Sequence, residues 1–290
     1  MPYNTILTEK RQGLGIITLN RPDRMNAVNQ EVLRELIQAF GLLEADREVL
    51  ALCLTGTGSR HFSAGLELAG LSEMQPLGSQ RLTRLGQSLV NRIENSSKPT
   101  IAAVNGLALG AGFELVLACD LAVAVPQAFF GFPEVRVGLI PAWGGTRRLA
   151  GLVGRRRVNE MVLTGELMAA ERALQAGVLN ALAPAGELLE KAQQWAAKMA
   201  QGGRVALWQA RKLLAREDEM TQAGAQEYAA ECLAACFSTP ELGGLLKRYM
   251  ERGAAGGQAE RPDAAEEARV ERAEEEKQQE KKPSLDDFFE

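Results

Sequence analysis

Four short apolar runs, GIITLN (15–20), VLALCLTG (49–56), PTIAAVNG (99–106) and LAVAV (121–125), recur along the first half of the chain with helix-length segments between them. Runs of this length and composition read as strands buried on both faces, and strands that alternate with helices pack as a parallel sheet. Residues 4–20 alternate and turn at Gln12-Gly13, which predicts a hairpin ending in the first run. Apolar spacing predicts a helix over 30–46, closing a β-α-β unit with the second run. The pattern repeats through a polar helix over 79–94, the third run, a helix over 112–119 and the fourth run. The expected fold class is therefore α/β.

From about Gly144 the chain reads as almost wholly helical through Arg252, so a helical layer follows the sheet. Beyond Arg252 the composition turns to glycine and charge, with 12 acidic and 6 basic residues, leaving 25 acidic and 27 basic residues before it. The body is near neutral and the tail acidic, so no broad basic surface invites nucleic acid; the Arg155–Arg157 cluster reads as a solvated helix start. The tail has too little aliphatic content to fold alone. It ends in SLDDFFE, where Leu285, Phe288 and Phe289 share one helical face, the spacing of a docking peptide for a protein partner on an acidic tether; an inert solubilising tail is the alternative. No window reaches the roughly 18 apolar residues of a membrane span. Cys53, Cys119, Cys232 and Cys236 have no metal-type spacing and read as reduced packing residues, so the expected location is cytoplasmic.

The sequence lacks a GxSxG elbow and a Walker loop, and its lone histidine, His61, has no ligand partner, so nucleophilic serine and zinc chemistry are not expected. Glutamate and backbone amides remain. Glu114 follows GAGF at a helix start, where the first N–H groups are unpaired and favour negative charge, and the small residues 110–112 allow close ligand approach. Glu134 lies in FFGFPEVRVGLIP among apolar neighbours. Two converging carboxylates suit acid-base work on water or a carbon acid; helix capping or loop hydrogen bonding are the plainer roles for both. In HFSAGLEL, Ala64-Gly65 follows a strand and exposes further backbone amides, as an ordinary turn also would.

These stretches occur in one order with LNRPDRMNAV (19–28), LTGTGSRHFSAGLEL (54–68), KPTIAAVNGLALGAGFELVLACD (98–120), FGFPEVRVGLIPAWGGTRRL (130–149) and GVLNALAP (177–184). Together they resemble the enoyl-CoA hydratase/isomerase (crotonase) superfamily, over about residues 4–252. The resemblance implies an α/β spiral of β-β-α turns over 1–195, a C-terminal helical trimerisation region over 196–252, and the tail 253–290 outside both. It implies a homotrimer or a hexamer made of paired trimers, and acyl-CoA thioester substrates. Coenzyme A is then part of the substrate, and neither a separate cofactor nor a metal is implied.

By position, the family's oxyanion hole falls on the backbone N–H groups of Leu66 and Ala111, and its two water-handling glutamates on Glu114 and Glu134. Arg24, Ala27, Ala64, Gly65, Leu68, Trp143, Tyr249 and Arg252 match positions that bind coenzyme A or shape the acyl site. Retention of both glutamates implies hydration of a 2-enoyl-CoA to a 3-hydroxyacyl-CoA. Ala142 stands where dienoyl isomerases carry an aspartate. The chain departs from the usual hydratase pattern at Leu66, Glu67, Ala69 and Ala111, which stand for alanine, aspartate, a lysine found in some members, and glycine. Double-bond isomerisation, decarboxylation and thioester hydrolysis remain alternatives on the same fold. A noncatalytic coenzyme A-binding or scaffolding subunit is the alternative from another class.

Overall fold

The computed structural model describes residues 3–217 and 220–254, and the chain divides into two compact units after Thr239. The SLDDFFE segment lies outside the described residues, as does the side chain of Arg252.

The first unit begins with the expected hairpin, β1 (Ile6–Arg11) antiparallel to β2 (Leu14–Leu19), turning through Gln12 and Gly13 at positive φ. Helix α1 (Gln30–Ala45) starts where the Asn29 side chain accepts from the Glu31 and Val32 amides, satisfying two of the donors that a helix start leaves unpaired. Its buried face, from Val32 through Leu43, packs against the sheet. Strands β3 (Ala51–Gly56), β5 (Thr100–Val104), β7 (Leu121–Ala124) and β10 (Ala181–Leu182) then add in parallel, giving the order β1-β2-β3-β5-β7-β10.

A second sheet stands beside the first, in the order β4 (His61–Ser63), β6 (Leu107–Leu109), β8 (Phe129–Gly131), β9 (Leu167–Ala169). Its first three strands are parallel and β9 is antiparallel to β8. The chain alternates between the sheets: β3 then β4, β5 then β6, β7 then β8. Helix α2 (Pro76–Glu94) follows the first pair and α3 (Ala111–Leu117) the second, so the β-β-α spiral is directly visible. Phe113 of α3 packs on Phe130 and Phe132, with ring centroids 5.4 and 5.1 Å apart, fixing α3 to the second sheet.

The region after Gly144 carries α4 (Gly145–Val153), α5 (Arg155–Thr164), α6 (Ala170–Gln175), α7 (Leu188–Met199), α8 (Arg204–Leu214) and α9 (Gln222–Phe237). It also carries β9 and β10, which the helical reading of this region did not contain; two- and three-residue strands are too short to show a period. The second unit opens with α10 (Pro240–Ala254). Among the described residues no helix is long and apolar enough to cross a membrane, and no cluster of histidine, cysteine or carboxylate side chains has metal-ligand geometry.

Candidate active site

Three neighbouring parallel strands of the second sheet each run, at their carboxyl end, into one of the segments singled out in the sequence. Strand β4 leads into Ala64–Leu68, β6 into Gly110 and α3, and β8 into a 3-10 turn, Pro133–Val137, that carries Glu134. Ligands of parallel α/β sheets gather at such ends, because loops from adjacent strands converge there.

The first segment is held as a single parallel bridge between Val28 and Leu66. Val28 N donates to Gly65 O at 2.7 Å and Glu67 N to Val28 O at 2.9 Å. In that pattern the flanking peptide groups make the bonds, so the N–H of Leu66 itself points to the opposite edge of the segment. Gly65, at φ +92°, lets the segment come close to α3: a Cβ there would meet Leu109 O at 2.7 Å and stand 3.5 Å from Ala111 N. Ala111 is the first residue of α3, so its N–H has no intrahelical acceptor. Gly65 thus brings the segment that carries Leu66 against the start of α3.

Both glutamates lie near this start of α3. Glu114 is buried in the first turn of α3, and its Oε1 accepts from Trp143 N and Gly145 N, both at 2.8 Å. Burial pushes its carboxyl up, opposed by those amides and by the positive charge of Arg148. Gly145 is needed here, since a Cβ would lie 2.6 Å from Glu114 Cγ. Glu134 approaches Gly110, where a Cβ would stand 2.6 Å from its Oε1; Gly110 has φ +50°. Glu134 Oε2 is buried without a hydrogen-bond partner. Burial, with a smaller push from the charge of Glu114, raises the Glu134 carboxyl to about 7.

Of the other expected contacts, Ala27 and Gly65 are buried, Ala64 is half-buried, and Leu68 is exposed beyond the bridge. Arg24 ends an exposed 3-10 turn, Pro22–Arg24, and approaches Asp23 at 3.9 Å. Trp143 is a core aromatic by burial, yet its amide is one of the donors to Glu114. Tyr249 and Arg252 lie on α10 of the second unit, where the Tyr249 ring is exposed.

Sequence reasoning missed the brace behind Leu66. Arg21 grips both oxygens of Glu67, at 3.0 and 3.2 Å, and donates to Ala27 O at 2.7 Å, while Asn29 Nδ2 donates to Glu67 Oε2 at 3.0 Å. The Arg21 contact holds the Glu67 carboxyl below its usual range. Glu67 was noted as standing for an aspartate, but nothing in the chain marks a partner 46 residues away.

The family model for enoyl-CoA hydratase/isomerase matches residues 9–256. The chain belongs to this family. A short-chain-enoyl-CoA hydratase of Clostridium acetobutylicum is 34% identical over 252 residues, covering 87% of this chain and 97% of that protein. A 2,3-dehydroadipyl-CoA hydratase of Escherichia coli is 39% identical over 224 residues, 77% of this chain and 87% of the relative. Among solved structures, an enoyl-CoA hydratase from Bacillus anthracis superposes with a TM-score of 0.82 at 28% identity, over 86% of this chain and 97% of that one. Family membership agrees with the two interleaved sheets.

Proposed function

We propose that this chain is an enoyl-CoA hydratase that adds water across the double bond of a 2-enoyl-CoA to give a 3-hydroxyacyl-CoA. The observation that carries the reading is a pair of carboxylates in unlike settings near the start of α3, Glu114 accepting two backbone amides and Glu134 raised to about 7 with Oε2 unpaired. Glu114, anchored through Oε1, keeps Oε2 to take a proton from water; Glu134, with a carboxyl raised to about 7 and a bare Oε2, holds one to give. Water oxygen bonds to C3 as its proton passes to Glu114, and the C2–C3 π electrons move toward the thioester. Charge on the thioester oxygen is met by the Leu66 and Ala111 N–H groups, and C2 takes the proton of Glu134. One proton is held by the pair before and after, and its return from Glu114 to Glu134 resets the site.

The same proposal places Arg24 at the coenzyme A phosphates and Ala27, Ala64, Gly65 and Leu68 along the thioester arm, with coenzyme A belonging to the substrate. It includes a homotrimer or hexamer, supported by Leu163, Leu214, Leu233 and Phe237, which are 75, 67, 61 and 70% exposed in the single chain. It also includes a cytoplasmic setting, supported by four unpaired cysteines.

The test is a panel of short, medium, long and aromatic 2-enoyl-CoAs, followed by loss of the conjugated thioester absorbance with identification of products. A 3-hydroxyacyl-CoA is expected. Double-bond migration from a 3-enoyl-CoA, carbon dioxide release, or free coenzyme A as the main product would replace hydration by another reaction of the fold. Tight coenzyme A binding without turnover would make the chain a binding subunit. The amide assignment is checked separately: Ala111→Gly keeps the N–H and is expected to retain activity, whereas Ala111→Val is expected to block the thioester.

A further inference from the structure

Helix α2 contributes no acid, base or oxyanion donor, yet it holds the loop that holds Glu114. Three contacts reach the 142–145 loop from this one helix. Gln87 Nε2 donates to Ala142 O at 2.8 Å. Glu94 binds Arg148 through both carboxylate oxygens, at 3.2 and 2.6 Å, and Arg148 Nη1 donates to Trp143 O at 2.9 Å. The Trp143 indole lies over Gly86 so closely that a Cβ on that residue would overlap the ring. The carbonyls of Ala142 and Trp143 are thus tied to α2 while the amides of Trp143 and Gly145 point at Glu114.

We infer that Arg148, anchored by Glu94, is the positioning residue that holds the loop whose Trp143 and Gly145 amides are aimed at Glu114. This rests on the hydration reading given above. Arg148 does not touch substrate; it fixes the Trp143–Gly144 peptide, which lies between the two peptides whose amides donate to Glu114, and it adds its charge. Its side chain is 16% exposed and that of Glu94 38%, so the guanidinium works in a setting that screens it weakly. Arg148 from α4 lowers the Glu114 carboxyl through its charge, Glu134 on the 3-10 turn is raised by the Glu114 charge, and Glu94 of α2 binds Arg148. A cavity of about 1030 Å³ lies behind the brace, lined in part by Trp143, Arg148, Glu94 and Gln87, so water can occupy the space vacated by a shortened side chain. A loss of rate in such variants then reports lost aim and charge.

The test compares Arg148→Gln, Arg148→Lys and Glu94→Gln in the full chain. Arg148→Gln is expected to lower kcat about 10- to 100-fold, the range for small misplacement of a catalytic group, with KM changed less than about threefold. The acid limb of its kcat/KM profile is expected at higher pH, because losing the positive charge makes Glu114 easier to protonate. Arg148→Lys is expected to restore the acid limb and only part of kcat, since an ammonium keeps the charge without the forked geometry. Glu94→Gln, at a more exposed position, is expected to lower kcat in the same direction by less, and it serves if Arg148→Gln fails to fold.

An unmoved acid limb in Arg148→Gln, or a KM that rises in step with the loss of kcat, would overturn the inference. Absence of hydration by the unaltered protein would overturn the hydration reading alone. The Glu114 carboxyl is then titrated directly by infrared difference spectroscopy on ¹³C-glutamate protein, assigned with Glu114→Gln. An unchanged Glu114 titration in Arg148→Gln, or in Glu94→Gln if that variant alone folds, rejects the positioning role whatever the reaction proves to be.

Discussion

Glu114 and Glu134 are the same residue type, one in the first turn of α3 and the other against Gly110 just before it, and their surroundings treat them differently. Glu114 is the more deeply buried, yet two amides and a nearby guanidinium support its charge. Glu134 is half-buried; its Oε2 meets no donor, one hydrogen bond from its own backbone lowers its carboxyl, and the charge of Glu114 raises it. Burial raises both carboxyls, and the supply of donors opposes that push more at Glu114 than at Glu134. The proposed division into base and acid rests on α4 beginning against Glu114 while Glu134 Oε2 is left without a donor.

The strongest way to break this comparison is to remove the acid-base function from each member. Glu114→Gln can still accept the Trp143 and Gly145 amides, and Glu134→Gln mimics the neutral acid, so both are expected to fold. Each is expected to lose at least roughly 10²-fold in kcat. Near-normal hydration by both would remove the division of labour.

The next test displaces the carboxylates without changing them. Gly145→Ala pushes on Glu114, and Gly110→Ala pushes on Glu134 while also placing a side chain at φ +50°. Losses of about 10-fold or more are expected in each, larger at Gly110 because strain adds to the clash. Equal losses, with crystal structures showing neither carboxylate moved, would count against the placement.

A smaller effect follows from the proton on Glu134. With a carboxyl near 7, the acid form is depleted as pH rises, so kcat/KM in the hydration direction is expected to fall about tenfold per unit well above that value. A flat profile from pH 7 to 9 would leave Glu134 without the role of donor.

The smallest expected effect is on stability. The folded state raises the Glu134 carboxyl from 4.5 to about 7, so its stabilising share is full below about 4.5 and is lost as pH rises through about 7. At pH 8 the charged form costs about 1–3 kcal/mol, which Glu134→Gln avoids. The melting temperature of this variant relative to the unaltered protein is expected to rise by a few degrees between pH 5 and pH 8. A constant difference across that range would show that the carboxyl is not raised.

Much of this arrangement was legible in the chain. The runs containing Ile16, Leu52, Ile101 and Val123 are long enough and apolar enough to declare buried strands, and all four lie in the larger sheet. The smaller sheet was not legible, because LAL, FFG and LMA are too short to show alternation and acquire strand character only through their neighbours. Glu114 stood out because a carboxylate among apolar residues is costly. Its donors did not, since Trp143 and Gly145 contribute peptide groups that every sequence contains. The fit of Gly86 to Trp143 and of Arg21 to Glu67 likewise depends on segments meeting across the fold, which a linear spacing does not encode.

The Val28–Leu66 bridge has a kinetic meaning as well. It joins the loop before α1 to the loop after β4, just as the Glu114 carboxylate joins α3 to the loop before α4. Neither join can form while its segments are still local helices and hairpins, and closing such long loops comes late because their entropy must be overcome first. During refolding, far-ultraviolet ellipticity is therefore expected to recover ahead of turnover, which would make catalytic activity a clock for the last stage of chain assembly.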